Sequence, residues 1–332
     1  MRKMLVFNKI FCSVLLTACF SVQSANVLLA QDVQFSQLFA DKLYLNPAYA
    51  GSDYCPRVMA SYRNQWPGAQ FPYVSYSASF DQYSEVLHGG YGIRLMKDDQ
   101  GGGVFKMINA DFIYAHKVKI NHKSTLTMAL QASVFQWGIN ASGLVFADMI
   151  DPVFGPVLSG SERVNSKAIF THDLTTGFLL RHRKYFIGVN ISHIPHNVIP
   201  EHNSILPMKI TANIGAAFPI IKNGLKRPRY ILEPNIIFIK QQTFNVLYYG
   251  MYFDVSKTAM GVFLRQDLKF HYDAMIFSFH VDVKQLKIAY SFDANLSGFI
   301  KHSFGSHEIS LVYLFDCRKK IKDYGTISCP SF

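Results

Sequence analysis

Thr125-Leu126-Thr127-Met128-Ala129-Leu130-Gln131-Ala132-Ser133-Val134-Phe135 is the stretch that decides the fold. Leu126, Met128, Leu130, Ala132 and Val134 share one face, and Thr125, Thr127, Ala129, Gln131 and Ser133 share the other. A period of two places alternate side chains on opposite faces of a β-strand. The pattern recurs. Val74, Tyr76, Ala78 and Phe80 oppose Tyr73, Ser75, Ser77 and Ser79, while Tyr185, Ile187, Val189 and Ile191 oppose Phe186, Gly188, Asn190 and Ser192. A soluble sandwich would carry charge on its outer faces. Here the less apolar faces hold Ser, Thr, Gly, Asn and Ala, which suits a hydrated or side-chain-packed lumen with the apolar faces against lipid.

Extending that reading predicts strands near 57–64, 72–81, 88–97, 104–118, 124–138, 171–181, 184–193, 207–219, 229–240, 243–254, 257–267, 271–283, 285–296 and 307–316. The chain is therefore expected to be an all-β transmembrane outer-membrane barrel of about 14 antiparallel strands, an even number that brings the strand set back to the periplasmic side. Parity makes the even connections periplasmic, with short turns at Asn121-His122 and Asp254-Val255-Ser256. The odd ones face outward, the longest at 139–170 and another at 193–205; the tight Gln241-Gln242 turn is an exception on the outer side.

Composition agrees. Of 332 residues 49% are hydrophobic, 14% aromatic and 17% charged, with 28 Phe and 18 Tyr. That charge is low for a soluble protein, and no stretch after residue 30 supplies the ~20 continuous apolar residues of a spanning helix. Lys+Arg number 33 against 22 Asp+Glu, a net +11; without Arg2, Lys3 and Lys9 the excess is +8. The basic residues are scattered, and the main run, Lys222-Asn223-Gly224-Leu225-Lys226-Arg227-Pro228-Arg229, reads as a turn, so nucleic acid is not an expected partner.

Four parts follow: a signal peptide over 1–30, a periplasmic N-terminal arm over 31–56, the barrel over 57–316 and a periplasmic tail over 317–332. In the leader, Arg2, Lys3 and Lys9 precede an apolar core from Ile10 to Phe20. Cleavage after Ala30 is expected; Leu16-Thr17-Ala18-Cys19 offers a competing lipobox. The mature chain then keeps only Cys55, Cys317 and Cys329, of which Cys317 and Cys329 either pair or stay free.

Several residues carry candidate roles. Asn46-Pro47-Ala48-Tyr49-Ala50-Gly51 reads as a structured turn in an arm that plugs the lumen, docks a partner or caps the barrel. Trp66, after Arg63-Asn64-Gln65, is placed to anchor at the bilayer interface or to meet a partner. Ser306-His307-Glu308 opens the last strand; alternation points Ser306 and His307 to opposite faces, which argues against a nucleophile–base pair and so against a lipase. His193, His196, Glu201 and His202 are too irregularly spaced for a metal site, and Asp98-Asp99-Gln100-Gly101-Gly102-Gly103 lacks a calcium ligand ladder. No cofactor is expected. The basic tail, with Arg318, Lys319, Lys320 and Lys322, reads as a docking peptide or a second cap.

Five strings carry a resemblance: Gln31-Asp32-Val33-Gln34-Phe35-Ser36-Gln37, Leu45-Asn46-Pro47-Ala48-Tyr49-Ala50-Gly51, Tyr62-Arg63-Asn64-Gln65-Trp66-Pro67-Gly68, Gly305-Ser306-His307-Glu308-Ile309-Ser310-Leu311 and Cys329-Pro330-Ser331-Phe332. In that order they resemble the PorP/SprF family of type IX secretion and gliding-motility membrane proteins of Bacteroidetes. The resemblance implies a non-enzymatic outer-membrane barrel accessory to export. The partners it implies are a periplasmic ring lipoprotein and its partner, a peptidoglycan-binding lipoprotein, and in some members a secreted surface protein; outer-membrane lipid surrounds the barrel. A passive diffusion porin is the alternative.

Overall fold

A computed structural model describes residues 32–140, 145, 149–151, 155–156, 168–194, 197–199, 204–221, 230–296 and 304–316. Fourteen strands form the wall: β1 (Arg57–Gln65), β2 (Tyr73–Ser84), β3 (Gly89–Gln100), β4 (Phe105–Asn121), β5 (Ser124–Ile139), β6 (Ile169–His182) and β7 (Tyr185–Ser192). Then come β8 (Lys209–Ala216, resumed at Phe218–Ile221), β9 (Tyr230–Gln241), β10 (Phe244–Val255), β11 (Thr258–Gln266), β12 (Tyr272–Val283), β13 (Leu286–Asn295) and β14 (Ser306–Leu314).

Each strand pairs antiparallel with its sequence neighbours, and β1 pairs with β14 from Arg57↔Leu314 to Gln65↔Ser306. The sheet is a closed barrel, which leaves no strand edge unpaired. The expected strands and their count are the observed ones; boundaries shift by a few residues, and the strand expected over 207–219 is interrupted at Ala217. Two turns fall one residue later than read, at His122-Lys123 and Gln242-Thr243, and the turn read over Asp254-Val255-Ser256 is the two residues Ser256-Lys257.

Alternation sorts the two faces as read. In β5, Thr127, Ala129, Gln131, Ser133 and Phe135 are buried inside, and Met128, Leu130 and Val134 are exposed outside, Leu130 by 67%. The exterior carries large apolar side chains such as Ile93, Phe112, Phe178, Ile236 and Phe277, the surface a bilayer's hydrocarbon accepts.

The barrel has two unlike ends. At the turn end, where β1 enters and β14 leaves, β4–β5, β6–β7, β10–β11 and β12–β13 are joined by two residues each. At the loop end lie the longer connections, two of which contain short antiparallel pairs, Ile150–Asp151 with Gly155–Pro156 and Asn197–Ile199 with Ser204–Leu206. The Gln242-Thr243 turn also lies there, the one tight turn on that side that the sequence had marked.

Candidate functional site: a plug folded inside the barrel

The N-terminal arm lies within the barrel. Asp41 caps a single helical turn, Lys42–Leu45, by accepting from Tyr44 N at 3.2 Å. Asn46 then caps a 3-10 turn, Pro47–Tyr49, its Oδ1 accepting from Ala48 N at 2.9 Å, with Pro47 at the first position where a missing N–H costs nothing. Gly51 follows at φ +64 and brings the backbone against β3: a Cβ on Gly90 would stand 2.0 Å from Ala50 O, and one on Gly51 would stand 2.6 Å from Gly90 Cα. Backbone touches backbone there, which only two glycines permit.

The arm crosses the lumen from end to end. At the loop end Asp32 N donates to Gln241 Oε1 at 3.2 Å, and its carboxylate accepts from Lys209 Nζ at 2.9 Å. At the turn end Gly51 N donates to Asp81 Oδ2 at 2.9 Å. Of the three roles expected for this segment, plugging the lumen, docking a partner or capping the barrel, its position is that of a plug. The physical reason is apolarity: Phe35, Leu38, Phe39, Leu43, Leu45, Ala48 and Tyr49 cannot stay in water when inward residues such as Met96, Phe135, Leu179, Phe186, Ile237 and Tyr252 also need covering. Phe39 packs edge-on against Phe186 and Tyr252, both at 6.3 Å between ring centroids.

Buried charges fix the plug at three places. Near the β1–β14 seam, Arg63 donates to Glu308 at 3.2 Å, Asp293 at 3.1 Å and Ser36 Oγ at 2.6 Å. Ser36 N and Gln37 N donate to the two Glu308 oxygens, at 2.7 and 3.2 Å, and Arg265 donates to Asp293 at 3.0 Å. At the turn end Lys42 and Arg57 flank Asp53 at 3.3 and 3.5 Å, and Arg57 Nε donates to Asp81 at 2.8 Å. Burial alone would push the Asp53 carboxyl up; Lys42 and Arg57 overcome it and hold it at about 2. At the loop end His193 lies between Asp32 and Asp173, each at 3.1 Å. Burial would lower its imidazole, yet the charge of Asp32 and the bonds to Asp173 and Asp32 raise it to about 9. Unpaired, any of these charges would be expensive to bury; here each meets an opposite one. A cavity of about 30 Å³ remains beside Arg94, His193 and Lys209, room for a water or two.

The residues read as candidates divide by place. Phe35 is buried edge-on to Tyr44 at 5.1 Å, and Gln34 is half-buried beside it. Asn46 Nδ2 donates to Phe178 O at 3.1 Å, Pro47 packs on the Gly177 site, and Tyr49 OH accepts from Asn213 at 2.7 Å. Arg63 and Glu308 join the seam network. Gln65 ends β1, and Trp66, at φ +59, stands edge-on to Tyr73 at 5.7 Å at the loop end. Ser306 is buried inside while His307 faces out, bonded to Tyr290 OH at 2.8 Å, so the two cannot act as a pair. Cys317, Cys329, His196, Glu201, His202, the leader and the 222–229 run lie outside the described residues.

Asp32, Asp41, Lys42, Asp81, Asp173, His193, Arg265 and Asp293 were not singled out as anchors. Their signal was available in part: Asp81 is a lone carboxylate on an otherwise uncharged inward face, while Asp173 shares its face with Arg181 and Asp293 shares its face with Lys287.

A closed barrel with a lipid-compatible exterior and a covalently continuous plug is the architecture of a plugged membrane β-barrel. The family model described as type IX secretion system membrane protein PorP/SprF matches residues 27–313, and the chain belongs to that family. It is accordingly an outer-membrane barrel of the type IX secretion system. Among curated proteins, none matches the chain. Solved structures that are similar include the Acinetobacter baumannii outer membrane protein Omp33 (6% identity, 79% of this chain and 98% of that one, TM-score 0.44). A Pseudomonas aeruginosa FadL homologue is similar too (8%, 79% and 90%, 0.44), as is the Pseudomonas putida toluene transporter TodX (7%, 86% and 94%, 0.43). Likenesses this distant carry no inference about function.

Proposed function

We propose that this protein is a non-enzymatic component of the type IX and gliding-type machinery that anchors or couples it, rather than a conduit. The observation that carries the reading is the filled lumen: the arm's apolar side chains are the barrel's core, which a diffusion porin would have to leave open. In this reading the turn end faces the periplasm and the loop end faces outward, the usual asymmetry of short turns and longer loops. β14 then ends on the periplasmic side, while Asp32 of the arm stands at the outer mouth. Lys119, Lys123, Arg183, Lys184, Lys257 and Lys284 gather at the turn end, a surface suited to an acidic face of a ring lipoprotein, its partner or a peptidoglycan-binding lipoprotein. A secreted surface protein would instead meet the loop end.

Gentle detergent extraction of the tagged protein, with and without crosslinker, followed by mass spectrometry of what co-purifies, tests this. Recovery of periplasmic lipoproteins supports coupling through the turn end, and recovery of a surface protein alone supports anchoring at the loop end. An empty pull-down in both forms overturns the proposal.

A further inference from the structure

Two phenylalanines at the loop end carry their rings in the open on strained backbone. Phe270, in the connection from β11 to β12, is 74% exposed at φ +62, and Phe304, just before β14, is 67% exposed at φ +54. A left-handed backbone is costly for a bulky side chain, and water is a poor solvent for an aromatic ring. Strain of this kind persists only where the surroundings impose it.

Both tips are clamped. Asp267 Oδ1 accepts from Lys269 N at 2.8 Å and from His271 N at 2.9 Å, and its Oδ2 lies 2.9 Å from His271 Nδ1. Phe270 N donates to Asp267 O at 3.3 Å, and Asp267 N donates to His271 O at 3.1 Å, which closes the loop on itself. A bulge follows: Arg265 pairs with Ala274 and Gln266 with Tyr272, leaving Asp273 over and bending β12 below the tip. At the second tip His307 Nε2 lies 3.2 Å from Phe304 O, and His307 Nδ1 lies 2.8 Å from Tyr290 OH on the lipid face. Gly305, at φ +71, then leads into the seam, its carbonyl accepting from Trp66 N at 3.0 Å.

Height decides what the rings meet. β12 runs eleven steps from Val283 at the turn end to Tyr272; at ~3.3 Å a step and a tilt of ~40° it rises about 28 Å, against an apolar band about 25 Å tall. Phe315 N still bonds to Pro56 O, and from Phe315 to Phe304 the closing strand takes the same eleven steps. Tyr272 and Phe304 thus stand at the edge of the band and Phe270 just past it. The exposed apolar wall leads up to both, through Phe279 and Phe277 below Tyr272, and through Leu311 and Ile309 below Phe304. Exposed Lys269, next to Phe270, places a cation at the level of lipid phosphates.

We propose that Phe270 and Phe304 are seated in the bilayer at the boundary between headgroups and acyl chains, where they fix the height of the β11–β14 flank in the membrane. The clamps keep the rings from folding back onto the barrel, and Lys269 answers the phosphates. This inference stands apart from the coupling role, since lipid alone satisfies it.

The test uses the full chain, purified and reconstituted into phosphatidylcholine vesicles, with Phe270→Trp and Phe304→Trp made separately and folding checked by heat-modifiable mobility. The fluorescence each variant adds to that of the parent should be blue-shifted and protected from aqueous iodide. Lipid brominated near the carbonyl end of its chains should quench it roughly twofold more than lipid brominated at mid-chain, as a ring ~5–10 Å into the boundary requires. Added emission from either variant that iodide quenches and bromolipid does not would overturn the proposal and leave that tip to a protein. Stronger quenching from mid-chain bromine would also overturn it. Hydroxyl-radical labelling of the unaltered protein in the same vesicles needs no variant: Phe270 should react less than its neighbour His271, and equal labelling contradicts the lipid seat.

Discussion

Replacing Phe39 by alanine should reveal whether the plug is part of the barrel's stability or a passenger. Phe39 is 1% exposed and meets Phe186 of β7 and Tyr252 of β10 edge-on, both rings at 6.3 Å. Truncating a buried phenylalanine costs about 3–5 kcal/mol, from lost transfer energy and the cavity left behind. Each edge-to-face pair adds roughly 0.5–1.5 kcal/mol beyond area, so the upper half of that range is expected. The assay is reversible urea unfolding in detergent or lipid vesicles, read by tryptophan fluorescence and by heat-modifiable gel mobility. Leu268→Ala, an exposed residue of the β11–β12 loop, is the control and should change stability by no more than ~0.5 kcal/mol. If Phe39→Ala cost ~1 kcal/mol or less while the plug stayed protected from protease, the barrel would be stable without its plug, and the packing argument would be wrong.

Three further perturbations probe other anchors. Arg63→Ala leaves Glu308 buried without a cation and Asp293 with Arg265 alone, and should cost about 3–5 kcal/mol in the same unfolding assay, with Arg63→Lys recovering only part because one ammonium cannot span Ser36, Asp293 and Glu308 together. Gly90→Val places carbon where Ala50 O stands, 2.0 Å from an ideal Cβ, so the plug should shift and Lys42 should become cleavable by trypsin; unchanged protection would count against the close backbone contact. His193 is raised above its ordinary value of 6.5 to about 9, so its contribution is fully present below about 6.5 and is lost as pH rises through about 9. Stability should therefore fall between pH 7 and 10, and His193→Gln should flatten that slope; an unchanged slope would remove His193 as its cause.

The wall was legible because its logic is local. Alternation in β2, β5 and β7 named both faces before any coordinate did, and register follows from short turns such as Ser256-Lys257. The plug was legible as a structured turn at Asn46–Gly51 and as one of three roles open to the arm, but not by its contacts. Its position depends on contacts between residues hundreds apart in sequence, such as Ser36 with Glu308 and Asp32 with Lys209, which no periodicity records. The arm's apolar residues, Phe35, Leu38, Phe39 and Leu43, were the available sign that it could not lie in water. His193 stood in the sequence only as one of four residues too irregularly spaced for a metal site; its role comes from Asp32 reaching it through the lumen, across 161 residues of sequence.

The filled lumen is the claim on which the rest depends, and planar-bilayer conductance of the intact, native-extracted protein tests it directly. The account expects no long-lived large-conductance state, because side chains from Phe35 to Tyr49 occupy the space ions would cross. A stable, wide-open channel from the unmodified chain would contradict it and return the protein to the porins.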